Sequence, residues 1–280
     1  MPQKPYADNR SCNRNGKLYY FPPFRDPLIG HSCVWAANGE TVSRLMTAER
    51  TAHVPESRFG KWFLRTDIWE TRVLDVAMDD LDRLIEDRAS SYPVIVDVGC
   101  GAGQSLRRLR ERFSPELIVG VDIDLNMLTL SAAETRECGL PVALIQGTST
   151  DLGLADDSVD MLFCHQTFHH LPDQQSAIAE FHRVLRPGGL LLFAESTRAF
   201  IHSWIIRLLF RHPMDVQKSA DEYRVFIEQA GFDCSANAIS YPYLWWSRAD
   251  LGLREALTGR PPPTAHEETL LNLVAVKQHK

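Results

Sequence analysis

A chain of 280 residues with 44% apolar residues can build one sizeable core. Its formal net charge of −6, with no long Lys/Arg run, argues against a nucleic-acid partner. Six cysteines without C-x-x-C spacing read as reduced thiols rather than a disulfide framework or zinc signature. No apolar run approaches the roughly 20 residues of a membrane span, and the polar, proline-rich start is not a signal peptide. The expectation is a cytoplasmic protein.

Residues 1–56 show no sustained period and are broken by prolines, glycines and asparagines. Residues 1–60 are therefore set apart as a loop-rich N-terminal arm, with 61–280 as the main domain and 91–240 its core. Asp67 to Asp87 reads as a helix, with an Asp67/Glu70 capping pair and a stripe at Leu74, Met78, Leu81 and Ile85. From Ser91 onward strands and helices alternate, as in a parallel sheet covered on both faces. Strands are predicted at 94–98, 117–121, 142–146, 159–164 and 190–195. Helices are predicted at 104–113, 125–138 and 173–186. A capping box at Ser219/Glu222 opens another helix that ends at Gly231, and strands near 232–239 and 269–277 bring the sheet to seven.

In such sheets ligands bind beyond the carboxyl ends of the strands. The first of these places is the most informative. Val94-Ile-Val-Asp-Val98 is a buried strand that runs into Gly99-Cys-Gly-Ala-Gly103, where glycines let backbone approach a ligand closely. Asp97, two residues before Gly99, would repel a pyrophosphate, and Gln104 stands where a dinucleotide fingerprint has its third glycine. A cationic, phosphate-free cofactor suits these residues better. Asp122 closes the second apolar run about 20 residues on, placed to accept from both ribose hydroxyls.

Four segments, Val96 to Gly103, Val121 to Met127, Ala155 to Asp160 and Leu185 to Leu190, resemble the class I S-adenosylmethionine-dependent methyltransferases. The likeness is greatest to the branch that includes the quinone-biosynthesis enzymes. It implies an α/β, Rossmann-like, seven-stranded and mostly parallel sheet whose last strand inserts antiparallel at the edge. It implies S-adenosyl-L-methionine as cofactor, held by Asp97, Gly99, Gly101, Gly103, Asp122, Ile123, Met127, Thr148, Ser149, His165 and Gln166. It also makes His170 a loop anchor. Thr148 departs from the family's usual Asp at the adenine amino group. Its hydroxyl, a backbone carbonyl or Asp151 would take over that contact.

Cys164-His-Gln-Thr-Phe-His-His170 is the richest polar cluster. His165 and His169 are the general-base candidates, with loop packing as the alternative. The spacing offers no recognised metal set, so no metal is assigned. Phe200 to Phe210 reads as one helix with a stripe at Ile201, Trp204, Ile205, Leu208 and Leu209. Packing on the core or under the N-terminal arm competes there with a lid over an apolar acceptor; peripheral membrane contact is less favoured. Tyr241 to Trp246 is either aromatic packing or a pocket wall. The expected function is methyl transfer to a small, apolar or lipophilic molecule. The alternative is a non-catalytic sensor or subunit that keeps the cofactor, and an NAD-dependent oxidoreductase is disfavoured by Asp97 and Gln104.

Overall fold

The computed structural model describes residues 57–135, 142–248, 250–261 and 266–278. The arm expected at 1–60 lies almost wholly outside them. Among the described residues one mixed sheet of eight strands runs in the order β3-β2-β1-β4-β5-β8-β6, with β7 also on β8. The strands are β1 (Val94–Val98), β2 (Leu117–Asp122), β3 (Val142–Gln146), β4 (Val159–His165), β5 (Leu185–Ser196), β6 (Phe232–Asp233), β7 (Ile239–Ser240) and β8 (Leu270–Lys277). Pairings among the first five are parallel, and β8 is antiparallel to β5, β6 and β7.

The period-2 pattern of β1 explains how the sheet is covered. Val96 and Val98 join a core with Ala177, Phe181, Tyr223 and Ile227. Ile95 faces the other way, into a core with Met78, Leu81, Leu106 and Leu109. Each such fully buried side chain contributes roughly 1.5–3 kcal/mol relative to an exposed one. Helices Asp75–Leu84 and Gln104–Phe113 thus cover one face, and Gln174–Val184 and Ala220–Gln229 the other.

Four sequence expectations change. The strand expected over 232–239 is split by a 3-10 turn at Ala236–Ala238, which gives the eighth strand. The last strand is antiparallel but lies inside the sheet, between β5 and β6, and its first six residues are buried. Pro187-Gly-Gly does not follow a helix; the helix stops at Val184, and these residues form an irregularity where the β4/β5 register jumps. The helix expected at 67–87 is capped by Thr66 rather than Asp67, passes through a π-helical turn at Glu70–Leu74 and ends at Leu84. The Ser219/Glu222 capping box is present as read.

Candidate active site

A cavity of about 670 Å³ opens over the carboxyl ends of β1, β2 and β4. The walls include Asp97, Gly99, Gly101, Asp122, Ile123, Met127, Thr148, Ser149, His165 and Gln166, so ten of the eleven expected cofactor positions meet in one place. Gly103 is absent from the walls. A Cβ there would sit 2.6 Å from Ser131 Oγ and 3.0 Å from its Cα, so Gly103 lets two helices approach. Gly101 is the opposite case: φ is +53° and a Cβ would meet nothing within 4 Å, which leaves an open cradle in the wall.

The loop's backbone donors are already directed. Gly99 and Cys100 donate to the carbonyl of Val121 at 2.8 and 3.1 Å. Gly101 donates to Asp122 Oδ2 at 2.9 Å, and Asp124 donates to Asp122 Oδ1 at 2.8 Å. The N–H groups of Gly99, Cys100 and Gly101 are thus spent within the protein.

Asp97 is buried, and the Ser105 hydroxyl donates to it. Burial pushes its carboxyl up to about 7, Ser105 opposes this, and the nearby Asp122 charge adds to it. Two acids of this kind in a glycine-walled cavity suit a ligand with cationic groups and a ribose diol. Gln146 fixes the next loop by donating to the Ile123 carbonyl at 3.1 Å. Thr148 Oγ1 lies 3.1 Å from Thr150 Oγ1. Asp151, the considered substitute for the missing acid, is exposed, accepts from Gly153 and does not line the cavity.

The histidines separate. His165 is in the wall, stacked on Phe163 at 5.9 Å and 5.6 Å from Trp69. Its Nε2 has no hydrogen-bond partner among the described residues. Burial, with His169 nearby, holds its pKa down near 3, so the ring is neutral and a weak base at pH 7. His169 is not in the wall; it is buried with Nδ1 2.5 Å from Glu195 Oε2. That excludes His169 as a base contacting a ligand in this cavity. His170 does line the cavity.

Leu64, Arg65 and Trp69 also line the cavity, and nothing in the sequence marked them. Gln104 Nε2 donates to the Leu64 carbonyl at 3.0 Å and holds that segment across the glycine loop. The Phe200–Phe210 stripe does not reach the cavity. Ser203 is extended and restarts the helix, giving Arg198–Ile201 and Trp204–Leu209 instead of one face. Trp204 and Leu208 are 67% and 73% exposed, so these two do not pack in the core. Among the described residues the segment connects to the cavity wall through rings, Phe210 to Phe63 to Trp69 to His165 and Phe210 to His212 to His170. Tyr241 to Trp246 lies outside the cavity too; Trp246 packs on Phe200 and donates to the Arg72 carbonyl.

Residues 96–193 match the family described as methyltransferase domain. Over 116 residues the chain is 38% identical to a malonyl-[acyl-carrier protein] O-methyltransferase of Coxiella burnetii, a match over 40% of this chain and 38% of that protein. Over 138 residues it is 30% identical to a demethylmenaquinone methyltransferase of Listeria welshimeri, covering 46% of this chain and 58% of that one. The matched stretch is thus well short of either relative's length. A SAM-dependent methyltransferase from Aquifex aeolicus shares the fold with a TM-score of 0.54 at 16% identity, over 78% of this chain and 96% of that one.

Proposed function

We propose, from the match of residues 96–193 to a methyltransferase domain and the fold shared with S-adenosylmethionine-dependent methyltransferases, that the chain transfers a methyl group from S-adenosylmethionine to a small, apolar acceptor. The observation that carries this reading is one cavity in which Asp97, the Gly99–Ala102 loop and Asp122 face an apolar wall of Leu64, Trp69 and Phe163.

Asp122 and Ile123 would hold the ribose side of the cofactor, Met127 and the Thr148–Ser149 turn the adenine side, and Asp97 the cationic amino-acid end. When bound, S-adenosylmethionine supplies an electrophilic methyl group on a sulfonium. Little new charge develops in such a displacement, so the residues contribute mainly by alignment and by excluding water. Trp69, Phe163 and neutral His165 supply a wall suited to a flat or aliphatic acceptor. No strong base is needed when the acceptor enters already deprotonated.

The relatives' names suggest two acceptor classes, a malonyl thioester and a demethylmenaquinone. The test is incubation with methyl-labelled S-adenosylmethionine and representatives of both, followed by extraction and mass spectrometry. Label appearing in an apolar product supports the reading. Tight cofactor binding with no transfer to either class, or to an extract of small metabolites, favours the sensor reading, for which Thr148 in place of an acid is the one motivating feature.

A further inference from the structure

His169 and His170 lie in the 3-10 turn Phe168–His170, just beyond the strand that ends at His165. The chain brings a third imidazole to them from 42 residues away. One nitrogen from each of His169, His170 and His212 lies within 4.8 Å of the others. The ring centroids are 4.2 Å apart for His169–His170, 4.7 Å for His170–His212 and 5.1 Å for His169–His212. His165, which shares the sequence cluster, is not in this group, and that is why the spacing of the cluster alone gave no metal signature.

We propose that His169, His170 and His212 form a binding site for one divalent transition-metal ion of the zinc class. Imidazole is the ligand type such ions share, and three protein nitrogens with one open position is a known zinc arrangement. A tetrahedral ion at about 2.0–2.1 Å from each nitrogen requires the three to draw closer together than they stand here.

Two features outside the trio support the site. The first is Glu195, fully buried, whose Oε2 lies 2.5 Å from His169 Nδ1. Ligating histidines commonly turn their second nitrogen to a carboxylate, which fixes the tautomer and leaves Nε2 for the metal. The same carboxylate also accepts from the backbone N–H groups of Thr167 and Phe168, so the turn carrying His169 and His170 is held by one anchor. The second feature is Gln217, whose Nε2 donates to the His169 carbonyl at 2.8 Å and the Pro213 carbonyl at 2.7 Å. It clamps the segment after His212 onto the turn. His170 is also part of the cavity wall, so the ion would stand at the edge of that cavity. Its open position would be available to water or to an acceptor oxygen.

The experiment titrates the full chain, stripped with a chelator, with Zn²⁺ alone in a calorimeter, and with Co²⁺ in an absorption spectrometer. The same is done for His212→Ala, His212→Gln and His170→Ala, each compared by melting of the metal-free form. The proposal expects one equivalent bound with micromolar or tighter Kd, weakened at least 100-fold in each variant. It expects visible Co²⁺ bands without a thiolate charge-transfer band. Absence of a saturable first equivalent in the unaltered chain overturns it. So does a thiolate band at that equivalent, or undiminished binding in any variant. The Co²⁺ spectrum of the unaltered chain decides the ligand type even if a variant does not fold.

Discussion

Glu195 holds His169: its Oε2 lies 2.5 Å from His169 Nδ1, both side chains are buried, and 26 residues separate them in sequence. With Oε1 on the Thr167 and Phe168 N–H groups, this one carboxylate sets the shape of the loop after β4. Glu195→Ala would strand two backbone donors and an imidazole. Each buried donor left unpaired costs about 1–3 kcal/mol, so the expected cost is about 3–5 kcal/mol, a melting-point loss of roughly 6–20 °C for a domain of this size. Glu195→Gln should lose clearly less. Thermal melts of both variants check this, and equal losses would contradict it.

Asp97 should link protons to cofactor binding. Its folded pKa of about 7 lies above the unfolded value near 3.9. Between these values the native state keeps a proton that the unfolded state has released, so this group's contribution to stability falls as pH rises from about 4 to about 7. Asp97→Asn should therefore gain stability relative to the unaltered chain at pH 8 and little at pH 5. A cationic ligand favours the ionised acid. Binding near pH 6.5 should release a fraction of a proton, visible as a dependence of binding heat on buffer ionisation enthalpy, and Asp97→Asn should abolish that dependence.

Gly101 and Gly103 should fail differently. Both have positive φ, so alanine at either adds strain of roughly 1–2 kcal/mol. Only Gly103→Ala also collides with Ser131, and it should melt several degrees lower than Gly101→Ala. Gly101→Ala puts its methyl into open space in the cavity wall and should weaken cofactor binding more than it weakens the fold. Paired melts and titrations of the two variants test the separation.

Thr148→Asp should maintain or tighten S-adenosylmethionine binding if this turn meets the adenine amino group, because it supplies a charged acceptor in the cavity wall. Much weaker binding by a normally folded variant would place adenine elsewhere.

The legible parts were those fixed by local chemistry. β1, its glycine loop and Asp122 could be read because a buried strand, a left-handed loop and an acid at the next strand end follow each other within the chain. Gly103 stands apart from the cavity wall because its close contact is with Ser131, on another helix, which the local sequence does not show. Leu64, Arg65 and Trp69 were missed because they reach the cavity through tertiary packing, with Gln104 as the clamp. The stripe at 201–209 failed because the backbone restarts at Ser203 and shifts the helical phase, which apolar spacing does not reveal. His212 carried no signal, since only the folded chain brings it to His169 and His170.

The central claim is that this cavity binds S-adenosylmethionine through Asp122. Calorimetric titration of the unaltered chain and of Asp122→Ala tests it most directly. One-site binding is predicted for the former, and at least a tenfold loss for the latter, since hydrogen bonds to a charged acceptor are worth about 1.5–3 kcal/mol each. No binding by the unaltered chain, or equal affinity in a folded Asp122→Ala, would contradict the account.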